Sequence, residues 1–434
     1  MNIQMQDQKI IQLDLSKIDF TQYSNFNNES EINGDGKSNF YKNLENKTVN
    51  LYDLVKIKVT LNDNYYIFSR YLISRMLTLI YIDKQTAASI AKSIKKKLVE
   101  KEVKEINQNQ LEEILFETIY QQIPTNPAGV IRTYKIVSEF YRMRTPIVIL
   151  IFGAPKIGKS NIANQLADKM NISNVLQTDI ISCVMEMMHV GDSKQNHWND
   201  MHIDLDETIK RYEQRCYQVR KGANTDIQKC LLQGKPVIVE GTELNPSFFL
   251  KIKNQDEQII KSDQIKQKLS QYIEGSIHER DILDDYSIEQ DSQNIQLFQP
   301  EPQEWESAAE KDRIRQAIDY FAKFNQGQLV IVAFHLVISK KQHRFNINNQ
   351  QVIQKISDSK EREIQTDILL NKFQAIQNYL LHKCSLSCTI PIDINCQQHT
   401  LDTVQKILLK NIENWYYRQN KTQDKKEKQG EIYQ

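Results

Sequence analysis

Residues 147–160 read Ile-Val-Ile-Leu-Ile-Phe-Gly-Ala-Pro-Lys-Ile-Gly-Lys-Ser, and this stretch decides the fold. Its apolar first half predicts a buried strand. Its second half, Gly153 to Ser160, matches Gly-x-x-x-x-Gly-Lys-Ser, the pattern of a phosphate-binding P-loop. Residues 161–170 follow with apolar side chains at helical spacing. Strand, loop and helix therefore come in the order that a P-loop requires.

Each part of this loop has a physical role in holding a nucleotide. Glycines let successive backbone N–H groups converge on an anion, and the helix N-terminus adds a partial positive charge. Lys159 is placed to neutralise the β- and γ-phosphates, and Ser160 to bind Mg²⁺. We therefore expect ATP and Mg²⁺ as ligands. The predicted nucleotide-binding residues are Gly153, Ala154, Pro155, Lys156, Ile157, Gly158, Lys159, Ser160 and Asn161.

The composition argues against nucleic acid and membranes as partners. The 434 residues include 56 Lys and Arg against 55 Asp and Glu, so the formal charge is only +1. The longest apolar run, residues 147–152, is too short to span a bilayer, and the N-terminus lacks the apolar stretch of a signal peptide. We expect a soluble cytoplasmic protein that binds ATP and a small-molecule acceptor.

The six cysteines indicate neither disulfides nor zinc. Cys384, Cys388, Cys396 and His399 lie close together in sequence, but their spacing matches no common zinc pattern. In a reducing compartment such thiols remain free. We interpret them as structural or incidental cysteines.

Apolar strands alternate with helical stretches from residue 147 onward, which predicts a parallel sheet with right-handed crossovers. The expected fold class is α/β: a P-loop NTPase sheet of the kinase type with helices on both faces, preceded by a small, mostly helical domain. Ligands in such sheets bind at the carboxyl ends of the strands. The strands are predicted at residues 147–152, 175–176, 237–241, 329–338 and 389–394.

Shifts in composition suggest where the chain divides. The two ends are polar without apolar periodicity, as in mobile tails, and an internal stretch is charged, Gln-rich and weakly apolar. The predicted division is a disordered tail (1–50), a small domain (51–125), a P-loop domain (126–250 and 304–415), a surface insertion (251–303) and a second disordered tail (416–434).

Three residues at predicted strand ends are candidates for the acceptor side. Asp179 ends the strand after the P-loop helix, where a carboxylate can accept or orient a hydroxyl proton. It can equally cap the helix that begins near Ile180. Glu240 ends an apolar strand and can hold a Mg²⁺-bound water, contact the acceptor, or simply pack against the P-loop. We assign Thr242, two residues further on, to the same surface.

Basic and histidine residues near these strand ends have two interpretations each. Arg344, in the basic cluster that follows strand 329–338, can close over the transferred phosphate or belong to a solvated turn. His189, His197 and His202 fall where acceptor contacts would form. Their spacing is not that of a metal site, so we interpret them as surface histidines.

Several of these stretches together resemble a known family. Residues 178–181 (Thr-Asp-Ile-Ile) and 237–246 (Val-Ile-Val-Glu-Gly-Thr-Glu-Leu-Asn-Pro), at these distances from the P-loop, resemble the 2-phosphoglycerate kinase family. The plant low-phytic-acid P-loop proteins are its eukaryotic relatives. Residues 335–345 resemble the family's strand and basic turn, and residues 371–379 its late helix.

The N-terminal part strengthens the resemblance. Residues 68–115 are similar to an ATP-cone, a nucleotide-sensing module that precedes the kinase in that family. The resemblance covers about residues 51–250 and 304–412. The P-loop is shared by a whole superfamily, so the order of cone, P-loop, Thr-Asp and Glu-Gly is what points to this family.

The resemblance implies phosphoryl transfer from ATP to a hydroxyl of a phosphorylated small acceptor, 2-phosphoglycerate in the family. Lys159 and Ser160 would hold ATP with Mg²⁺. Asp179 would face the acceptor hydroxyl, and Arg344 would belong to a lid.

The chain also departs from the family pattern. Ser182 and Glu186 stand where the family carries arginines, Glu243 where it carries a histidine, and Asn348 where it carries a basic residue. A phosphorylated acceptor favours cationic partners. Two hypotheses therefore stay open: a small-molecule kinase, and a catalytically weak or inactive ATP-binding regulatory protein. Residues 240–242 also resemble the strand end of zeta-toxin-type kinases, which phosphorylate a different acceptor.

Overall fold

The computed structural model describes residues 55–62, 64–188, 197–252, 263–276, 295–297, 307–309, 311–312, 315, 329–383, 387–392 and 397–430. The chain divides into two compact units. Among the described residues, one unit contains those of 55–68 and 95–108, and the other contains those of 69–94 and 109–430. The predicted tail at residues 1–50 lies outside the described residues, and the predicted domain boundaries stay predictions.

The first unit contains a small mixed sheet. Strand β1 (Lys58–Leu61) pairs antiparallel with β2 (Asn64–Ile67) and parallel with β3 (Glu105–Asn107). The tight β1–β2 connection places Asn62 in the left-handed region, with φ 44°, which asparagine tolerates better than most residues. Strands β1 and β2 therefore form a hairpin.

Most described elements follow these strands. The remaining strands are β4 (Ile147–Phe152), β5 (Val175–Gln177), β6 (Val237–Gly241), β7 (Leu250–Ile252), β8 (Ile295–Leu297), β9 (Val330–Val337) and β10 (Cys388–Pro391). The helices are α1 (Arg70–Leu79), α2 (Lys84–Glu100), α3 (Gln108–Gln122), α4 (Pro127–Arg142), α5 (Lys159–Met170), α6 (Thr178–Met188), α7 (Leu205–Leu232), α8 (Asp263–Glu274), α9 (Lys340–Asn348), α10 (Gln351–Gln354), α11 (Ser359–Lys383) and α12 (Gln397–Gly430).

The core of the second unit is a five-stranded parallel sheet in the order β10-β9-β4-β6-β5. Every residue of the three central strands, β4, β6 and β9, is buried. Strands covered on both faces by helices are expected to show such continuous apolar runs. The α/β prediction is confirmed, and the P-loop strand β4 is the middle strand of the sheet.

Register brings the carboxyl ends of these strands together. Phe152 pairs with Gly241 of β6 and with His335 of β9, while Gln177 of β5 pairs with Glu240. The P-loop after β4, the helix start after β5 and the turn after β6 therefore share one edge of the sheet. This is the edge where the sequence predicts the ligands to bind.

Part of the predicted surface insertion, residues 251–303, contributes to the core instead. Within its described part, β7 pairs antiparallel with β8, and helix α8 buries Leu269, Tyr272 and Ile273. The Tyr272 hydroxyl donates to the carbonyl of Ile392 at 2.9 Å. The apolar residues of α8 lie on one helical face. Composition alone did not predict their burial, because most residues around them in the sequence are charged or Gln.

Two other predictions about secondary structure are wrong. The basic cluster around Arg344 is not a turn, because α9 begins at Lys340 with Ser339 as its N-cap. The predicted C-terminal tail from residue 416 is helical as far as Gly430, where α12 ends. Lys, Glu and Gln dominate that segment and are good helix formers even without an apolar stripe. In the part of the chain that the structure describes, no helix is long and apolar enough to cross a membrane.

Candidate active site

Two glycines give the P-loop its shape. Gly153 has φ 149°, and a Cβ there would lie 2.3 Å from the carbonyl oxygen of Leu336. Gly158 has φ 92° and is the N-cap of α5. L-residues with side chains rarely adopt these conformations, so glycine is required at both ends of the loop. Helix α5 begins directly after Gly158, which puts a helix N-terminus, a favourable environment for an anion, at the end of the loop.

Lys159 connects the P-loop to the end of β6. Its ammonium donates to the carbonyl of Ala154 at 2.8 Å and to Oγ1 of Thr242 at 3.1 Å. The side chain is buried, and burial lowers the pKa of Lys159 to about 8. The negative charges of Asp179 and Glu240 act in the opposite direction. A cation is therefore held at the position where phosphate charge would collect.

Glu240 and Ser160 form a donor set that fits Mg²⁺. Glu240 is 2% exposed, and its Oε2 has no hydrogen-bond partner within the described residues. Burial raises the pKa of this carboxyl, while the hydrogen bond from Ser160 and the charge of Lys159 counteract the rise. An unpaired buried carboxylate oxygen is costly unless a ligand satisfies it, and Mg²⁺ prefers oxygen ligands.

The described residues contain no group of three or more His, Cys, Asp and Glu side chains that could hold a metal by themselves. In P-loop proteins the nucleotide phosphates supply further ligands to the metal. Of the cysteine cluster considered above, Cys384 and Cys396 lie outside the described residues, and Cys388 is buried in β10.

Asp179 meets the end of β6 closely because Gly241 makes room for it. A Cβ on Gly241 would lie 1.7 Å from Oγ1 of Thr178 and 3.3 Å from Oδ1 of Asp179. The backbone N–H of Thr242 points to that Oδ1, at 3.5 Å. Asp179 lies in the first turn of α6, where a carboxylate interacts favourably with the helix dipole, and its side chain is exposed. The structure thus brings Lys159, Asp179, Glu240 and Thr242 together.

Helix α9 fixes the P-loop through residues that the sequence patterns did not single out. His343 Nε2 bonds to the carbonyl of Pro155 at 2.8 Å, and Asn346 donates to the carbonyl of Lys156 at 2.9 Å. The amide nitrogen of Gln374 lies 2.9 Å from Nδ1 of His343. Because an amide nitrogen only donates, Nδ1 accepts and Nε2 carries the proton given to Pro155. Burial lowers the pKa of His343 to about 4, which keeps the ring neutral.

Arg344 is on the same helix but makes other contacts. It pairs with Asp367 at 2.8 Å and with Glu363 at 3.6 Å, both on α11, and 40% of its side chain is exposed. Its role as a lid stays a prediction. Among the histidines, His189 lies outside the described residues, and His197 pairs with Glu186 at 2.9 Å. The backbone N–H of His202 donates to the Asp200 carboxylate.

Three of the residues that depart from the family pattern contact one arginine. Ser182, Glu186 and Glu243 all contact the guanidinium of Arg215 from α7. Glu243 also accepts a hydrogen bond from the Trp198 indole at 2.8 Å. Arg215 could not be found from the sequence because it lies mid-helix, at no fixed distance from the P-loop. Asn348, another departure from the family pattern, accepts from Thr366 at 2.9 Å.

Comparison with characterised proteins identifies distant kinase relatives. The chain is 26% identical over 190 residues to 2-phosphoglycerate kinase of Pyrococcus furiosus and 27% identical over 192 residues to that of Methanothermobacter thermautotrophicus. It is 31% identical over 192 residues to that of Methanocaldococcus jannaschii. Each match covers 42% of the chain, and the chain spans 62%, 61% and 60% of these relatives. These matches support a distant relationship to a kinase family.

Other comparisons add little. No family model matches the chain. Among solved structures, it is similar to full-length tRNA isopentenylpyrophosphate transferase from Bacillus halodurans, with 14% identity and a TM-score of 0.28 over 64% of this chain and 99% of that one. A likeness of this extent supports no conclusion about the chain.

The pKa of Lys159 predicts how nucleotide affinity varies with pH. Because the lysine is charged only below about pH 8, affinity for ATP should fall by up to about tenfold per pH unit above that value. Lys159→Arg keeps the charge, so its affinity for ATP should stay constant over the same alkaline pH values. Titration calorimetry measures both. An equal fall in the arginine variant would contradict the assignment.

The neutral state of His343 predicts an acid-sensitive fold. Its folded pKa of about 4 lies below the ordinary value of 6.5, so the unfolded chain binds the proton between these values. Stability is therefore complete above pH 6.5 and falls as the pH drops towards 4, by on the order of 3 kcal/mol. His343→Gln, which keeps a donor for Pro155, should remove this component of the loss.

Urea denaturation of both proteins, at neutral pH and close to the folded pKa of His343, measures the difference. The fall in the free energy of unfolding should be clearly smaller in His343→Gln. If both proteins lose the same stability, His343 is not the group responsible.

Proposed function

We propose that the chain is an ATP-dependent phosphotransferase that transfers the γ-phosphate of ATP to a hydroxyl group of a small molecule. The observation that carries this proposal is the position of Lys159. Its ammonium lies between the P-loop carbonyl of Ala154 and Thr242, whose backbone N–H contacts the Asp179 carboxylate. A phosphate cation and an acceptor-side carboxylate are thus adjacent.

The side chains at this edge provide what phosphoryl transfer needs, which is mostly positioning and neutralisation of charge. Lys159 is protonated at neutral pH and would hold the β- and γ-phosphates. Ser160 and Glu240 would hold Mg²⁺, which when bound neutralises phosphate charge. Asp179, exposed at the start of α6, would accept or orient the proton of the attacking hydroxyl. His343 and Asn346 would keep the loop in shape.

For the acceptor, the names of the relatives make phosphorylated hydroxy acids the first candidates. The matched relatives are 2-phosphoglycerate kinases, and the similarity is partial in both chains. We therefore propose a phosphotransferase with an alcohol acceptor of the 2-phosphoglycerate kinase type. The partners are ATP, Mg²⁺ and a small molecule.

The second candidate is an ATP-binding regulatory protein with little or no catalysis. Glu186 and Glu243 favour it, because both pair with Arg215 and so occupy positive charge that a phosphorylated acceptor would need. This candidate predicts that nucleotide binding, abolished by Lys159→Ala, changes the protein's compactness or association without consuming ATP.

The two candidates differ in acceptor-dependent turnover. Release of ADP is measured with ATP and Mg²⁺ against 2-phosphoglycerate, other phosphorylated and free hydroxy acids, inositol phosphates and nucleotide sugars. A kinase should release ADP at least tenfold faster with one class of acceptor than without any. ATP binding without acceptor-dependent release would contradict the kinase and favour the regulatory candidate.

Replacement of Asp179 tests its role in the chemistry. Asp179→Asn keeps the size and the contact with Thr242 but removes the proton acceptor, so kcat should fall by about 10²–10⁴-fold while ATP affinity changes little. Asp168→Asn, an exposed carboxylate on α5 that pairs with Arg75, is the matched control and should keep full activity. Undiminished activity of Asp179→Asn would remove Asp179 from the mechanism.

A further inference from the structure

Arg215 is a partly buried cation beside the proposed acceptor carboxylate. Only 18% of its side chain is exposed. It lies on α7, and Gly222 of the same helix allows close packing against α6, because a Cβ there would lie 2.6 Å from Ile181. Ser182 is one helical turn beyond Asp179 on α6 and contacts Arg215. The guanidinium therefore stands next to the place where an acceptor hydroxyl would approach Asp179.

The contacts of Arg215 use one side of the guanidinium. Nε donates to Oγ of Ser182 at 2.8 Å and lies 3.4 Å from Oε2 of Glu243. Nη2 donates to the carbonyl of Ser182 at 3.2 Å and to Glu186. No described residue accepts a hydrogen bond from Nη1. Among the described residues, the two N–H donors on Nη1 of this planar group thus have no acceptor.

The two glutamates orient this arginine, and one of them can release it. Glu243 is buried and held by Trp198, so its position is fixed. Glu186 is more exposed and also pairs with His197 at 2.9 Å. If an anionic ligand displaced Glu186 from Arg215, Glu186 would still have a partner. Such a site can exchange an internal carboxylate for an external anion at moderate cost.

From this geometry we infer that Arg215 is the residue that recognises the acceptor, by binding an anionic oxygen group, carboxylate or phosphate, close to the hydroxyl that Asp179 faces. The inference rests on the proposed phosphotransfer function. It makes Arg215 the determinant of acceptor charge, whereas Lys159 serves the nucleotide. A planar guanidinium group binds carboxylate and phosphate oxygens in the same way, so an acceptor that carries either group fits Arg215.

Binding measurements test this without requiring turnover. The protein, saturated with Mg²⁺ and a non-hydrolysable ATP analogue, is titrated with 2-phosphoglycerate, glycerate and glycerol. At least one acid should bind at least tenfold more tightly than glycerol. Because 2-phosphoglycerate carries a carboxylate as well as a phosphate, tight binding of both acids indicates that the carboxylate is sufficient, whereas tight binding of 2-phosphoglycerate alone indicates that Arg215 binds the phosphate. Equal affinity for glycerol, or no binding of either acid, would overturn the inference.

Variants separate recognition from structure. Arg215→Gln should lose at least tenfold in affinity for the acid but bind the ATP analogue with an affinity within twofold of wild type. The affinity of Arg215→Lys for the acid should lie between those of wild type and Arg215→Gln. Arg211→Gln, one turn earlier on α7 with an equally exposed side chain, should bind as wild type. Glu186→Gln removes the competing carboxylate and should bind the acid more tightly.

Three results would overturn the assignment: an unchanged Arg215→Gln, an equal loss in Arg211→Gln, or weaker binding in Glu186→Gln. Thermal unfolding monitors whether each variant folds. If Arg215→Gln does not fold, the affinity of Glu186→Gln for the acid tests the assignment instead. Failure of the proposed function is a separate result. In that case the acids bind through Arg215 but stimulate no release of ADP.

Discussion

The hydrogen bonds of the Lys159 ammonium are the interaction on which the site depends. A buried cation is costly, and here its cost is offset by the Ala154 carbonyl, the Thr242 hydroxyl and the nearby charges of Asp179 and Glu240. These contacts fix the distance between the P-loop and the end of β6. The parallel sheet makes this possible, because its register brings the ends of β4, β5 and β6 to one edge.

Charge divides this edge into two halves. On the proposed nucleotide side, one lysine, a glycine loop and a helix N-terminus favour phosphate, while the Oε2 atom of Glu240 has no partner among the described residues. On the proposed acceptor side, Arg215 pairs with Glu186 and Glu243. The first half follows a pattern shared by many proteins. The second half is not part of that pattern, and it is where we propose that the acceptor is recognised.

Residues whose positions follow from local patterns could be found from the sequence. The P-loop is a contiguous motif, and Asp179, Glu240 and Thr242 follow apolar runs whose ends a parallel sheet brings together. The sequence did not predict roles for His343 and Arg215, because their partners are distant in sequence. Only the packing of α9, α11 and α7 brings these partners near. The α9 segment looked like a turn because it is almost entirely polar and buries only His343 and Ile347. Hydrophobic periodicity cannot detect a helix that buries only two side chains.

A crystal structure of the chain with Mg²⁺ and a non-hydrolysable ATP analogue tests the central claim most directly. We predict the γ-phosphate on the Lys159 ammonium, Mg²⁺ about 2.1 Å from the Ser160 hydroxyl, and the Asp179 carboxylate on the open side of the γ-phosphate, facing Arg215. A nucleotide bound elsewhere, or an Asp179 directed away from the γ-phosphate, would contradict this claim.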